Sequence, residues 1–186
     1  MEQNPQATPA GARPFQLTRR GIVLQPDPAQ PFERGGVLNP AAAVFDGTAY
    51  LFYRAVDIEP ENYSRILIAT CTPDASGQIQ ARRLNRVALE PEAPYERWAG
   101  GGGGGVEDPR ITLLDGVYYM AYTGYGTVDG VTAPRIALAR ATDPFTWERI
   151  GLVHFAPVTL TTGGIASPVG TTMSRPVNVA STSITP

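Results

Sequence analysis

Two stretches of the sequence decide the fold: Asn39-Pro-Ala-Ala-Ala-Val-Phe-Asp-Gly47 and Asp108-Pro-Arg-Ile-Thr-Leu-Leu-Asp-Gly116. Each ends in an Asp-Gly dipeptide, which favours a type I′ turn because both central residues of that turn need positive φ. A second run of apolar and aromatic residues follows each dipeptide. We therefore predict two β-hairpins of the same design.

The two hairpins belong to an internal repeat of about 70 residues. An offset of 69 places Asn39-Pro40 on Asp108-Pro109, and an offset of 70 places Arg65-Ile66 on Arg135-Ile136. Each copy has room for four strands. They are predicted at Ala41–Phe45, Thr48–Ala55, Arg65–Thr72 and Gln78–Leu84, then at Ile111–Leu114, Val117–Thr123, Pro134–Ala141 and Trp147–Phe155. A repeated four-stranded antiparallel unit is typical of a β-propeller blade.

The repeat count sets the predicted domain organisation. Propellers close with roughly four to eight blades, whereas two copies are visible, so we predict an all-β, incomplete propeller of about two to three blades at residues 15–157. Residues 1–14 are polar and proline-rich, typical of a disordered lead-in. In residues 158–186, 11 of 29 residues are Ser or Thr, which indicates a disordered tail or the product of a shifted reading frame.

The inventory of reactive side chains excludes several chemistries. All 15 cationic residues are arginine, so lysine Schiff bases and the P-loop lysine are excluded. The single histidine, His154, and the single cysteine, Cys71, cannot build a Cys- or His-rich zinc site or a disulfide framework. We expect Cys71 to be a small buried residue and His154 to be structural. Carboxylates, arginines, amides and hydroxyls remain, and these are groups that bind sugars and phosphate.

Charge and hydropathy patterning limit the partners and the location. The net charge is −2 and the arginines are scattered, so no basic stripe favours nucleic acid. No apolar run approaches the roughly 18 residues of a membrane helix, and the N-terminus lacks the layout of a signal peptide. We therefore expect a cytoplasmic protein with no membrane or nucleic-acid partner, and self-association as a homo-oligomer is left open.

Asn39 and Asp108 are the first candidate site residues. Proline lacks an N–H group and suits the first residue of a strand, and it favours an extended conformation in the residue before it. Asn39 and Asp108 would then stand at the mouths of corresponding strands and converge on one pocket. The alternative is that both residues serve only as turn formers next to proline.

The dipeptide Glu107-Asp108 offers two adjacent carboxylates. Adjacent strand residues point to opposite faces, so we expect that both cannot face one substrate. Asp108 would then need a distant partner or a nucleophile that the protein does not supply, such as phosphate. Guanidinium groups match phosphate oxygens, and the candidates are Arg54, Arg110 and Arg135, although each can also be a solvated surface charge.

The glycine run at residues 100–105 is not a nucleotide-binding motif. It formally matches GxGxxG, but no helical pattern and no Gly-Lys-Ser/Thr follows it. We expect a mobile loop beside Asp108 that acts as a lid or is an insertion.

Six motifs follow one another along the chain: Gly36-Val-Leu-Asn-Pro-Ala-Ala-Ala-Val-Phe-Asp-Gly, Leu51-Phe-Tyr-Arg, Gly105-Val-Glu-Asp-Pro-Arg-Ile, Ala121-Tyr-Thr-Gly-Tyr, Pro134-Arg-Ile-Ala-Leu-Ala and Trp147-Glu-Arg. Together they resemble the N-terminal part of glycoside hydrolase family 130, the β-mannoside phosphorylases and related β-mannosidases. The resemblance covers roughly residues 15–157. It implies a five-bladed β-propeller fold that binds sugar at the mouth of its channel.

The resemblance also implies roles for individual residues. Asp108 would be the general acid, protonating the leaving oxygen through the 3-hydroxyl of the mannose. Asn39 would bind the mannose, and Arg54 would line the same pocket. Arg110 and Arg135 stay candidate substrate ligands on the basis of their guanidinium groups, and neither Arg135 nor His154 is matched to a phosphate ligand of the family. No metal and no cofactor is implied, and inorganic phosphate would be the co-substrate.

Three functional hypotheses follow. The first is part of an enzyme that cleaves β-mannoside oligosaccharides by inverting phosphorolysis to α-mannose 1-phosphate. The second is a β-mannoside hydrolase that uses water. The third is a catalytically inert truncated chain or a weak sugar-binding module.

Overall fold

The computed structural model describes residues 19, 21–58 and 62–154. In these residues the regular structure consists of eight β-strands and two short 3-10 helices. The strands are β1 (Gly36–Phe45), β2 (Thr48–Asp57), β3 (Tyr63–Pro73), β4 (Ile79–Leu89), β5 (Gly104–Leu114), β6 (Val117–Val128), β7 (Val131–Ala141) and β8 (Glu148–Leu152). All eight predicted strands are confirmed. In this described part, no helix has the length and apolarity needed to cross a bilayer.

The strands form two equivalent antiparallel units. Strands β1 to β4 pair in chain order and make the first unit, and strands β5 to β8 do the same in the second unit. A short parallel pairing joins the units, with Tyr63 opposite Gly104 and Ser64 opposite Gly105. We call this junction the seam. The predicted lead-in at 1–14 and tail at 158–186 lie outside the described residues.

The Asp-Gly turns have the expected backbone conformation. Asp46 and Gly47 have φ of 46° and 76°, and Asp115 and Gly116 have φ of 49° and 79°. Positive φ at both central positions is the signature of the type I′ turn. Each dipeptide therefore fixes the register of its hairpin. In the first unit, the residue pair next to the turn is Phe45 opposite Thr48.

The main core lies between the two units. The first unit contributes the fully buried Phe52 and Ile66, and the second contributes Val106 and Met120. Trp147 closes one side of this core, with its ring 5.5 Å from that of Phe52 in an edge-on arrangement. Aromatic pairs in this geometry stabilise a core by about 0.5–1.5 kcal/mol beyond their area burial. The two units therefore share one core.

In the segment that precedes each unit, a buried glutamate accepts hydrogen bonds from side chains on the strands of that unit. In the first, Tyr53 donates to Glu33 Oε1 at 2.9 Å, while Arg83 Nε and Nη2 donate to its two oxygens at 2.8 and 2.6 Å. We call these three residues the first anchor. Glu33 ends the 3-10 helix Pro31–Glu33 and is completely buried.

The second anchor repeats this arrangement with Glu96, Tyr122 and Arg149. Tyr122 donates to Glu96 Oε1 at 2.7 Å, and Arg149 Nε and Nη2 donate to Oε1 and Oε2 at 2.9 and 3.0 Å. Glu96 ends the 3-10 helix Pro94–Glu96. Burial opposes ionisation of both anchor glutamates, but hydrogen bonds from arginine, backbone and tyrosine outweigh burial and lower both pKa values. Both carboxylates therefore stay charged and paired.

Candidate functional site

Asn39 and Asp108 occupy equivalent β-bulges. Their φ angles are 44° and 50°, and the strand register shifts between Leu38 and Ala41 and again between Glu107 and Arg110. The prediction that proline opens the strand and keeps the preceding residue extended is wrong, because β1 and β5 begin upstream at Gly36 and Gly104. Asn and Asp tolerate the left-handed conformation, and a bulge can accept a residue without an N–H group.

The bulge in β5 brings two adjacent carboxylates onto one guanidinium. Arg54 Nη2 donates to Glu107 Oε1 at 2.7 Å, and Arg54 Nη1 donates to Asp108 Oδ1 at 3.3 Å. The prediction that Glu107 and Asp108 cannot face one site is therefore wrong. Strict alternation holds for regular strands, whereas a left-handed residue at a bulge redirects its side chain.

Ser64 completes this group from β3. Arg54 Nε donates to Ser64 Oγ at 3.0 Å, and Ser64 Oγ donates to Glu107 Oε1 at 3.3 Å. We call Arg54, Ser64, Glu107 and Asp108 the seam cluster, because two members come from each unit. All three guanidinium nitrogens of Arg54 are engaged, so its orientation is fixed by the protein.

Two glycines allow the seam to close. A Cβ atom on Gly105 would lie 2.6 Å from the carbonyl oxygen of Ser64, and one on Gly104 would lie 2.7 Å from that of Tyr125. The glycine run therefore has two parts, and the interpretation as a single loop is wrong for these two residues. Gly100, Gly101 and Gly102 have positive φ and no neighbour within 4 Å of an added Cβ.

The two carboxylates of the seam cluster differ in exposure. The Asp108 side chain is 36% exposed and that of Glu107 only 12%. Burial raises the pKa of Glu107, and the charge of Asp108 adds to this, whereas Arg54 and Ser64 oppose it. An accessible carboxyl group beside a fixed cation and a second, shielded carboxyl group is an arrangement suited to proton transfer.

Asn39 follows directly after the residue that pairs with Arg54 in the sheet. Its neighbour Leu38 is the strand partner of Arg54, and the Asn39 residue is exposed to solvent. Strand β1 also lies against β5, so the two bulges belong to neighbouring strands. That Asn39 and Asp108 line one pocket stays a prediction.

The remaining predicted ligands make other contacts. Arg110 donates to the carbonyl of Pro109 at 2.7 Å and is exposed. Arg135 directs its guanidinium to three backbone carbonyls at the β6–β7 hairpin, those of Gly126, Val131 and Ala133. Its terminal nitrogens are thus engaged away from the seam cluster. His154 is exposed and borders the same groove as Arg135.

Metal and thiol chemistry have little support in the described part of the chain. No three His, Cys, Asp or Glu side chains gather there into a metal-binding group. Cys71 is a free, half-buried cysteine, and burial raises the pKa of its thiol. A raised pKa is the reverse of what a nucleophilic cysteine needs.

Sequence reasoning missed the functional context of Glu107 and Ser64. One available signal was the full extent of the repeat, because Gly35-Gly36-Val-Leu-Asn-Pro40 matches Gly104-Gly105-Val-Glu-Asp-Pro109. A doubled glycine at the same place in both copies indicates a backbone requirement rather than a loop insertion. Within this match, Leu38 of the first copy corresponds to Glu107 of the second, an apolar residue to a charged one.

Comparisons with known proteins agree with this architecture. The family model for glycoside hydrolase family 130, described as β-1,4-mannooligosaccharide phosphorylase, matches residues 5–179. A 1,2-β-oligomannan phosphorylase from Thermoanaerobacter sp. (strain X514) is 36% identical over 138 residues, which are 73% of this chain and 44% of the relative. The chain thus spans less than half the length of this relative.

Solved structures give the same result. A candidate glycoside hydrolase from Parabacteroides distasonis is 28% identical with a TM-score of 0.57, covering 75% of this chain and 42% of that one. A second structure is 29% identical with a TM-score of 0.50, and the match covers 63% of this chain and 32% of the other. Its description states that this family of mannoside phosphorylases contains glycoside hydrolases that target β-1,2 mannosidic linkages in Candida mannan.

The described residues define an all-β class of protein built from antiparallel four-stranded units. The match to the family model extends over most of the sequence. The chain belongs to glycoside hydrolase family 130.

Proposed function

We propose that this chain provides the acid-bearing part of a β-mannoside phosphorylase active site, with Asp108 as the general acid. The contact between Arg54 and Asp108 across the seam carries this proposal, because it joins an accessible carboxyl group of the second unit to an arginine of the first, and the family resemblance assigns both residues to one sugar pocket. The two units would be adjacent blades of a five-bladed propeller. The site would open at the channel, at the end of the sheets that holds both bulges.

The proposed reaction is an inverting displacement at the anomeric carbon of mannose. An oxygen of inorganic phosphate forms the new bond to that carbon while the bond to the glycosidic oxygen breaks. The leaving oxygen receives a proton from the mannose 3-hydroxyl, which in turn receives the proton of Asp108. The products are α-mannose 1-phosphate and the shortened acceptor, and no cofactor takes part.

Other residues would position the sugar and the phosphate. Asn39 offers an amide that can both donate and accept hydrogen bonds, which suits a sugar hydroxyl. Arg54 retains donor capacity on Nη1 and Nη2 toward an entering ligand. Arg110 is an exposed guanidinium close to Asp108 in sequence, and binding phosphate through it requires only rotation of the side chain. Arg135 could contribute only after releasing its backbone carbonyls.

The curated relative favours a β-1,2 linkage, whereas the description of the family model names β-1,4 oligosaccharides. The relative is a single protein aligned over most of this chain, so we give it more weight and propose a β-1,2-mannoside substrate. The solved structure from a mannoside-cleaving hydrolase group supports hydrolysis as the second candidate reaction.

The test is incubation of the purified chain with β-1,2- and β-1,4-mannobiose, each with and without inorganic phosphate. Phosphorolysis predicts mannose 1-phosphate that forms only with phosphate, and hydrolysis predicts free mannose in both conditions. D108N should lower turnover by about 10²- to 10⁴-fold, the usual contribution of a general acid.

The control is the double variant N39D/D108N, which places an acid at the equivalent bulge of the first unit in the absence of Asp108. This double variant should not recover the turnover that D108N loses. Turnover in D108N equal to that of the parent would refute the assignment. Binding of mannobiose without any product would instead support the sugar-binding module.

A further inference from the structure

The first unit carries an apolar groove of about 410 Å³ on one side of its sheet. Leu51 lines this groove and alternates along β2 with Tyr50 and Phe52, which face the shared core. The groove therefore lies on the side of the sheet turned away from the second unit. Val37 and Cys71 line it as well, and both are only partly buried, like Leu51. We call this side of the first unit the groove face.

The equivalent side of the second unit is covered. By the offsets of the repeat, the counterparts of the three groove residues are Val106, Met120 and Ala141. All three are buried in the core that the second unit shares with the first. In the second unit a neighbouring sheet thus rests on this side, whereas in the first unit the described part of the chain leaves the same side open as a groove.

The second unit leaves the complementary surface open. Phe45 and Ile66 belong to the side of the first unit that packs against the second, and both are buried there. Their counterparts in the second unit are Leu114 and Ile136, which are 58% and 47% exposed. We call this side of the second unit the outer face. Exposed end units of repeat proteins usually carry a polar outer surface, so apolar residues here indicate a surface that is covered.

The charged residues of the seam are replaced on both open faces at once. Within the chain, the seam cluster brings Glu107 of the second unit to Arg54 of the first. The counterpart of Glu107 on the groove face is Leu38, and the counterpart of Arg54 on the outer face is Thr123. An unpaired charge enclosed in such a contact would be costly, and neither position carries one. The two open faces are therefore compatible with each other.

We infer that a second copy of this chain docks head to tail, with its outer face on the groove face of the first copy. The contact would repeat between copies the packing that the two units already show within one copy. It would join two different surfaces, so a single kind of contact covers both open faces. The docking makes no use of Asp108 and goes beyond the proposed function.

The test measures the mass of the 186-residue chain in solution. Sedimentation velocity and size-exclusion chromatography with light scattering are run over a wide range of protein concentration. We expect dimers or larger assemblies that dissociate on dilution. A monomer at every concentration would overturn the inference, because something other than a second copy would then cover the two faces.

Two charge variants test the two faces separately. I136E places a carboxylate on the outer face and L38E places one in the groove, so each variant alone should remain monomeric. The matched control is L113E. Leu113 is 55% exposed and pairs with Tyr118, whose ring stacks on Phe45 of the first unit, so it lies on neither open face. L113E should therefore associate like the parent.

A mixture of the two variants tests the head-to-tail geometry. I136E keeps an intact groove face and L38E keeps an intact outer face, so the mixture should form a pair that neither variant forms alone. A mixture of folded variants that stays monomeric, or either variant associating as strongly as the parent, would overturn the inference. Where L38E does not fold, A42E takes its place, because Ala42 is exposed and lines the same groove. These masses are measured without turnover, so the docking and the proposed function can fail separately.

Discussion

The segments Gly35–Pro40 and Gly104–Pro109 share a backbone but differ in what surrounds them. Gly36 and Gly105 have φ of 134° and 146°. A Cβ atom on Gly36 would find only Leu38 at 3.8 Å, whereas one on Gly105 would meet three atoms of Ser64 at 2.6 to 2.8 Å. The backbone therefore has open space beside Gly36 in the first unit, whereas at Gly105 in the second unit it packs against a neighbouring strand.

This difference separates two kinds of sequence requirement. Positive φ demands glycine at both positions and recurs with the repeat. Close packing at the seam demands it only at Gly105. The chemistry of the site follows the second kind, because Arg54, Ser64 and Glu107 all differ from their counterparts in the other unit.

The largest effect is expected from alanine at the seam. G105A combines backbone strain with a clash against Ser64, so we expect a loss of about 3 kcal/mol or more in the free energy of unfolding. G36A carries the strain alone and should cost about 1 kcal/mol. Urea unfolding of both variants measures the difference. Equal losses would show that the seam is not packed as described.

The second comparison concerns the two anchors. Glu96 accepts two backbone N–H bonds, from Glu92 and Ala93, whereas Glu33 accepts one, from Asp27. E96Q should therefore destabilise the chain by about 3 kcal/mol, near the low end for breaking a buried ion pair. E33Q should lower the free energy of unfolding by about 2 kcal/mol. This loss is smaller than that of E96Q because Glu33 accepts one hydrogen bond fewer. Thermal unfolding measures both variants, and a lower melting temperature for E33Q than for E96Q would contradict this order.

Acid should weaken the same anchors without any mutation. A carboxyl group whose pKa is lowered on folding stabilises the protein fully above its ordinary pKa of 4.5, and this contribution is lost as pH falls below that value. We expect urea midpoints to fall progressively below pH 4.5, because protonation removes the charge by which each glutamate holds its arginine. The double variant E33Q/E96Q should show a flatter acid response, and an equally steep one would exclude the anchors as its source.

Among the anchor variants, the smallest effect is expected from the tyrosines. Burial, followed by hydrogen bonding to the glutamate, raises the pKa of Tyr53, and burial, then hydrogen bonding to Tyr95 and Glu96, raises that of Tyr122. Each hydroxyl therefore remains a donor. Y122F and Y53F should each cost about 1.5–2 kcal/mol, the range for a hydrogen bond to a charged group. Differential scanning calorimetry should show similar shifts, and no shift would mean that the hydroxyls do not contribute.

The hairpins were predictable from sequence because their information is local. An Asp-Gly dipeptide fixes its own turn, and the repeat then extends the assignment to strands that carry no such signal, such as β4. The anchors were not predictable in this way. Tyr53 and Arg83 meet Glu33 only after three strands have paired, and no local pattern marks a glutamate as buried.

The site was predictable only in part. Asn39 and Asp108 were candidates from their matching Asx-Pro motifs and Arg54 as a possible phosphate ligand, and the resemblance to a known family supplied their roles. The structure shows Arg54 in contact with Asp108. Glu107 was set aside because strict alternation places it on the opposite face. The bulge that invalidates this argument depends on the left-handed conformation of Asp108, and the proline that follows predicts the contrary.

The seam has a consequence for how such a site could arise. Its cation and hydroxyl come from one copy of the repeat, and its two carboxylates come from the next. A single ancestral unit would possess the bulge but no neighbouring strand to face it. The site therefore requires two units side by side, and the two copies differ where each faces the other.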